Sequence, residues 1–250
     1  MRKLIMSIYL LIMGKHPYNT IFSYNYHNIR GILSFFKKLV VQYQGADKKI
    51  IIDVGGGKSP YFKIFENISK KYYVVDFKIA MPENEDRNII QIEGIAEKLN
   101  FNSEFADIIM SNQVLEHVSD ERLAVKEAHR VLRKGGIFIG SAPHISPIHL
   151  EPYDYRRFTS FGIIKLLEEN GFSNIKVEGN GGVFKAVALL LLMDWFLYKN
   201  KGKNQEFNIA KHLIFAPLTF FINLTCLIAD KIFQNKHRSP SNYCWSAVKQ

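Results

Sequence analysis

Cysteine is almost absent. The two that occur in 250 residues, Cys226 and Cys244, have no metal-ligand spacing. This excludes a disulfide framework and a cysteine-ligated metal module, and it fits reduced, packed thiols of a cytosolic protein. No internal repeat is visible, and a 47% hydrophobic content excludes a disordered chain. The N-terminal "MRKLIMSIYLLIMG" is basic and then apolar, but no small-x-small cleavage pattern follows it. Its apolar run is also shorter than the ~20 residues a spanning helix needs. An interfacial helix, or one packed on its own domain, remains. Acidic charge is scarce at both ends: residues 1–50 carry +7 and residues 183–250 carry +6, against −3 for 51–182. A nucleic-acid enzyme more often concentrates basic charge around its catalytic core. Here the positive charge lies on the two greasiest segments.

From residue 50 onward the pattern alternates. "KIIIDV", "KYYVVDF", "NIIQIEG", "FADIIMSN", "IFIGSAP" and "NIKVEGN" read as strands. "PYFKIFENISK", "SDERLAVKEAHRVLRKGG" and "TSFGIIKLLEENGF" read as helices. Ser119 is the expected N-cap of the second, Gly135-Gly136 its stop, and Gly171 the end of the third. "NIRGILSFFKKLVVQY" has apolar residues at helical spacing ahead of the first strand. Such alternation implies an α/β fold with a mostly parallel sheet covered by helices on both faces. Two apolar stretches, 183–198 and 212–233, precede a last alternating segment, "SNYCWSAVKQ", so the sheet is completed only after an apolar insertion. The expected organisation is a helical segment at 1–49, one domain made of 50–182 and 238–250, and an apolar helical insertion at 183–237.

The densest local signal is "IIDVGGGKSPYFKIF". It lacks the first glycine of a Walker phosphate loop, and Pro60 removes an N–H where that loop needs a donor. Pro60 also stands where a dinucleotide loop has its last glycine. Asp53 followed by alternate glycines, with Asp76 ending the next strand, suits a nucleoside without phosphate. In that reading Gly55 and Gly57 let the backbone approach the ligand, and Asp76 accepts two ribose hydroxyls. The helix starting near Pro60 turns its N–H groups toward a carboxylate, and Lys58 faces solvent.

With "YYVVDF", "GIAEKLNF", "FADIIMSNQVLEHV", "HRVLRKGGIFIGSAP" and "EPYDYRRFTSFGIIKLLEENGF" following in order, the sequence resembles the class I S-adenosylmethionine-dependent methyltransferases, in the methyltransferase-11-like branch. The resemblance implies a Rossmann-like seven-stranded sheet with one antiparallel strand near its end, and S-adenosyl-L-methionine as cofactor. Carried onto this sequence, Asp53, Gly55 and Gly57 form the methionine-side loop and Asp76 the ribose clamp. Ala96 and Glu97 flank adenine, and Asn112 and Gln113 close the site. Ser59 replaces the usual third glycine. Ile95 replaces an acid that contacts adenine in the family.

On the acceptor side, His144 and His149 are the candidate general bases, with Glu151 and Asp154 nearby; their spacing fits no metal pattern, so no metal is expected. His117, Tyr153, Arg156 and Arg157 are candidate acceptor contacts. The two arginines either clamp an acidic group or pair with Asp154 or Glu151. The branch implies a small-molecule, glycan or lipid-linked acceptor, with methyl transfer to a hydroxyl or amine. The alternatives are a quinone or lipid methyltransferase, and a membrane-associated scaffold with a degenerate cofactor loop. Nucleic acid is not expected: "SNQV" is not the Asn/Asp-Pro-Pro-aromatic tetrad used in base amino methylation. The insertion, with Lys199, Lys201, Lys203 and Lys211, suits peripheral contact with an anionic membrane from the cytoplasmic side, or else a lid or a dimer interface. Pro217 and Asn223 count against a spanning segment.

Overall fold

In a computed structural model of the chain, residues 2–78, 88–197, 209–233 and 238–250 are described. The elements run α1 (Arg2–Met13), α2 (Tyr26–Val41), β1 (Lys49–Val54), α3 (Phe62–Phe65), β2 (Ser69–Asp76), β3 (Ile89–Glu93), β4 (Ala106–Asn112) and α4 (Glu121–Val131). Then follow β5 (Leu132–Pro143), α5 (Ser160–Glu169), β6 (Phe172–Gly179), α6 (Val183–Leu197), α7 (Ile209–Ile214), α8 (Ala216–Phe233) and β7 (Asn242–Lys249). They fall into two compact units. One holds Met1–Ser34, His144–Pro147 and Gly179–Asn242; the other holds Phe35–Pro143, Ile148–Glu178 and Tyr243–Gln250.

The second unit is built on a mixed, mostly parallel seven-stranded sheet in the order β3-β2-β1-β4-β5-β7-β6. β1 is parallel to β2 on one side and to β4 on the other, and β2–β3 and β4–β5 are parallel as well. The strand at 242–249 enters between β5 and β6 after the apolar segments, as the alternation in its sequence implies. Strands β1 and β4 along most of their length, and β2 from Tyr72 to Val75, are buried because Ile, Val and Tyr face covered layers on both sides. One layer packs α4 and α5 through Val125, Ala128, Val131, Ile163 and Leu167 onto Ile52, Ile109 and Phe138. Across the other face, Phe36 meets Tyr61 and Phe65 with ring centroids 5.2 and 5.6 Å apart.

Three boundaries differ from the sequence expectation. The helix after β1 is a single α-turn followed by a 3-10 turn at Glu66–Ile68, because β2 already starts at Ser69. The N-cap of α4 is Asp120, not Ser119: the Asp120 carboxylate accepts the Leu123 amide at 2.9 Å. The same helix stops at Val131, and the strand begins at Leu132, upstream of Gly135-Gly136.

The first unit contains α1, α6, α7 and α8, and α8 is inverted. Its buried positions are Ala216, Thr219, Asn223 and Asp230, while Leu218, Phe221, Ile228, Ile232 and Phe233 are exposed. Two of the buried polar side chains, Asn223 and Asp230, are anchored locally, although Asn223 Oδ1 has no hydrogen-bond partner among the described residues. Asn223 donates to the carbonyls of Ile21 and Ser23 (2.8 and 3.0 Å), and its own carbonyl lies 3.1 Å from His27 Nε2. Asp230 accepts the amides of Gly182 and Phe184 at 2.7 and 3.2 Å, which caps the start of α6. Pro217 lies in the first turn of α8, where a missing N–H costs no helical bond. The helix therefore runs 18 residues without interruption, long and apolar enough by composition to cross a membrane, with 22% of it buried.

The cap assignment is testable. Asp120→Ala should cost about 1 kcal/mol in denaturant unfolding, the usual price of a lost carboxylate cap, whereas Ser119→Ala should leave stability within error of the parent.

Candidate functional site

Parallel pairing brings the carboxyl ends of β1, β2, β3 and β4 to one edge, and β1 lies where the strand order reverses direction, the position at which open α/β sheets hold ligands. The register is tight: Val54 pairs with Val75 and with Ser111, and Asp76 pairs with Glu93. The turn after β1 starts with the Gly55 amide on the Val75 carbonyl at 2.7 Å.

This turn needs its glycines. Gly55 has φ +67°, and a Cβ on it would lie 2.4 Å from Val114 Cγ2. A Cβ on Gly56 would lie 2.5 Å from the Asp53 carboxylate. Gly57, at φ +52°, donates its amide to Asp76 Oδ2 at 3.0 Å and so ties the loop to the acid ending β2. Ser59 sits at φ +48°, a left-handed conformation that explains why glycine is expected there. Lys58 is exposed, as expected. Since α3 is a single turn, the helix end expected near Pro60 is not available as a set of aligned donors, and the amides at this turn belong to the loop backbone.

Asp53 is buried under Gly56 and accepts the Tyr72 hydroxyl at 2.8 Å. Burial pushes its carboxyl up to about 7, against the opposing effect of that hydroxyl and with a further upward push from Asp76. Its carboxylate thus shapes the loop from beneath. Tyr72, one residue past the strand start expected from "KYYVVDF", is the partner that sequence reading missed. Ala96 and Glu97 occupy the turn after β3, where Glu97 Oε1 accepts the Ser119 amide at 2.8 Å; Ile95 beside them is exposed. Asn112 and Gln113 end β4 and are joined through buried Ser141, whose hydroxyl reaches Asn112 Oδ1 at 2.6 Å and takes the Gln113 side-chain amide at 2.9 Å.

The loop after β4 and the segment at 148–158 carry the acceptor candidates. His117 Nδ1 lies 2.7 Å from the Tyr153 carbonyl, so this nitrogen holds the proton. The His149 ring stands edge-on to it at 5.0 Å, with Nδ1 3.3 Å from Asp154 Oδ2. Asp154 also accepts the His149 amide and both Arg157 nitrogens at 2.6–2.8 Å. Burial alone would raise this carboxyl; Arg157 and the His149 contacts outweigh it and hold it low. Arg156 donates to the carbonyls of Val118 and Ser119 and pairs with Glu121 at 2.8 Å. Of the two roles open to the arginines in sequence, clamp or local pair, Arg157 takes the pair with Asp154, and Arg156 holds the loop against α4 through Glu121. The Tyr153 side chain is exposed. His144 belongs to the other compact unit, where its amide donates to the Ser241 carbonyl at 2.9 Å. Glu116, passed over in "VLEHV", is fully buried, and burial raises its carboxyl to about 8. Its neighbour in the motif, a histidine, was the visible signal.

S-adenosylmethionine fits this edge: an acid at the end of β2 for the ribose, a glycine turn open to the backbone, and a polar Asn112–Gln113 pair opposite. The fold is that of the class I S-adenosylmethionine-dependent methyltransferases. Residues 52–140 match the family described as "Methyltransferase domain". A curated protein of Mycolicibacterium smegmatis described as "Probable S-adenosylmethionine-dependent methyltransferase" is 26% identical over 163 residues, covering 62% of this chain and 61% of the relative. This chain thus spans about 61% of that relative's length. Among solved structures, a SAM-dependent methyltransferase from Archaeoglobus fulgidus aligns with TM-score 0.56 at 13% identity, over 87% of this chain and 93% of the other. Phosphoethanolamine N-methyltransferase 2 of Haemonchus contortus, in complex with S-adenosyl-L-methionine, aligns with TM-score 0.57 at 15% identity, over 96% and 60%. At these identities both likenesses concern the fold.

Asp53 gives the site a pH signature. Its folded pKa lies above the roughly 4 of an unfolded aspartate. Between that pH and about 7, the folded state therefore holds a proton that the unfolded state releases. Its stabilising contribution is complete below pH ~4 and is lost as pH rises toward 7. Thermal unfolding of the ligand-free protein should show that fall, and Asp53→Asn should flatten it; an unchanged profile would mean the carboxylate is solvated.

Proposed function

We propose that this protein transfers a methyl group from S-adenosylmethionine to a hydroxyl of a lipid-linked or glycan acceptor presented at a membrane surface. The observation that carries the acceptor class is the inversion of α8: polar groups inside, Leu218, Phe221, Ile228, Ile232 and Phe233 outside. A helix of a water-facing domain has the opposite pattern, and contiguous exposed apolar surface marks a partner or a membrane. α1 adds to it, with Leu4, Ile5, Met6, Ile8, Leu10 and Leu11 exposed beside Lys3. Lys15 and Lys231 are also exposed in this unit, and basic residues near an apolar face favour anionic headgroups. Of the lysines expected there from sequence, Lys199, Lys201 and Lys203 lie outside the described residues, and Lys211 donates to the Trp195 carbonyl.

In this reading the bound donor supplies a methyl carbon already activated by its sulfonium. Asp76 and the Gly55–Gly57 turn hold the nucleoside and amino-acid ends, and Asn112 and Gln113 line the approach. The protein then aligns the acceptor oxygen with that carbon and receives its proton. The C–O bond forms as the C–S bond breaks, the electron pair stays on sulfur, and S-adenosylhomocysteine leaves. His117 and His149 suit the proton-handling side, because each has Nδ1 tied to an acceptor and so carries its lone pair on Nε2.

Full-length protein should sediment with phosphatidylglycerol vesicles and not with phosphatidylcholine vesicles. Phe221→Lys combined with Ile232→Lys should weaken that binding at least tenfold. With methyl-labelled donor and cell fractions, label should enter the lipid-linked or glycan fraction. Label in small soluble acceptors alone, with vesicle binding unaffected by the substitutions, would instead make the exposed face a lid or a dimer contact.

A further inference from the structure

Glu116, His117 and His149 each present one ligand atom, and these atoms lie within 4.8 Å of one another. Three features distinguish this group from a chance cluster. Glu116 is fully buried, yet neither carboxylate oxygen has a hydrogen-bond partner among the described residues; a buried carboxyl left in that state is costly unless something compensates it. His117 Nδ1 donates to the Tyr153 carbonyl, which makes Nε2 the lone-pair nitrogen, 3.8 Å from Glu116 Oε1. His149 Nδ1 faces Asp154, itself fixed by Arg157. Histidines whose second nitrogen is tied to a carbonyl or a carboxylate are oriented as metal ligands usually are.

We propose that Glu116, His117 and His149 form a binding site for one divalent first-row transition cation beyond the carboxyl end of β4. Two imidazoles and one carboxylate suit Zn²⁺, Co²⁺ or Mn²⁺ and leave coordination positions open. Bonds of about 2.0–2.2 Å place donors within ~4 Å of one another, so the group closes by side-chain adjustment of under ~1 Å. The buried Glu116 carboxylate gains a full positive charge at bonding distance, which the His117 ring 3.8 Å away does not supply, and Asp154 acts through His149. An open position would orient an acceptor hydroxyl and lower its proton affinity, in place of the proton acceptance that His117 and His149 offer when no cation holds their lone pairs; that role rests on the methyltransferase reading, whereas cation binding does not. The loop holding the site is fastened to α4 by Arg156, on Glu121 and two carbonyls, so its geometry precedes any ligand.

The test uses untagged full-length protein, stripped with a chelator and titrated with Co²⁺ alone by visible absorption and calorimetry. One equivalent should bind at micromolar Kd or tighter and be displaced by Zn²⁺. Glu116→Gln, nearly isosteric, and His149→Ala should each weaken binding at least tenfold. Asp154→Asn should weaken it about 10–100-fold, as a residue orienting a ligand does. S-adenosylhomocysteine binding by the same stripped protein, read as a thermal shift, reports separately on the donor site. Homocysteine-nucleoside binding without stoichiometric Co²⁺ uptake overturns the cation site and leaves the methyltransferase reading standing. Co²⁺ uptake unaffected by Glu116→Gln and His149→Ala also overturns it, since binding then lies elsewhere. Uptake that these variants abolish, without donor-site binding, supports the cation site and counts against the methyltransferase reading.

Discussion

Strand β1 is hydrogen-bonded in parallel on both sides, and the site is arranged around that constraint. Because Val54 is in register with Val75 and Ser111, the chain must turn at Gly55 where β2 and β4 also end. A one-residue slip would reverse which side chains face each layer. It would also carry Asp76 away from the Gly57 amide. The contact between that amide and the Asp76 carboxylate is thus a consequence of the register, and it joins the two features to which the proposed function assigns the ends of the nucleoside. Asp53 completes the arrangement from below: only glycine at 56 leaves room above its carboxylate.

Much of this was legible in the sequence because the relevant signals are local. Runs such as "KIIIDV" and "YYVVD" report buried strands directly, and Asp53, Gly55, Gly57 and Asp76 follow from the strand ends. Boundaries were less legible. Ser119 and Asp120 are both good caps, and only the backbone geometry selects Asp120. Gly135-Gly136 look like a helix stop, yet the strand reaches back past them to Leu132 and pairs it with Ala106. The partners of the acceptor-side residues were hidden for a different reason. Arg156 with Glu121, and Tyr153 with His117, lie more than thirty residues apart, and no spacing rule reports such pairs. Glu116 was hidden by its burial, which sequence does not print.

The helical unit shows how burial changes the reading of a composition. Asn223 and Pro217 counted against a membrane-crossing segment when read along the chain. In the structure Pro217 opens the helix, and Asn223 is turned inward onto the Ile21 and Ser23 carbonyls. Asp230 likewise caps α6. The polar residues thus anchor α8 to its own unit, and its apolar face is the one left uncovered. This geometry suits a helix lying at an interface, in keeping with the split of positive charge toward both ends of the chain.

The central claim is that the edge formed by β1, β2 and β4 holds the methyl donor. Calorimetric titration of S-adenosylhomocysteine into the full chain and into Asp76→Ala tests it most directly. The account predicts saturable one-to-one binding, weakened at least tenfold by the substitution, as expected when a hydrogen bond to a charged group worth about 1.5–3 kcal/mol is lost. No binding at millimolar ligand, or equal affinity for the two proteins, would contradict it.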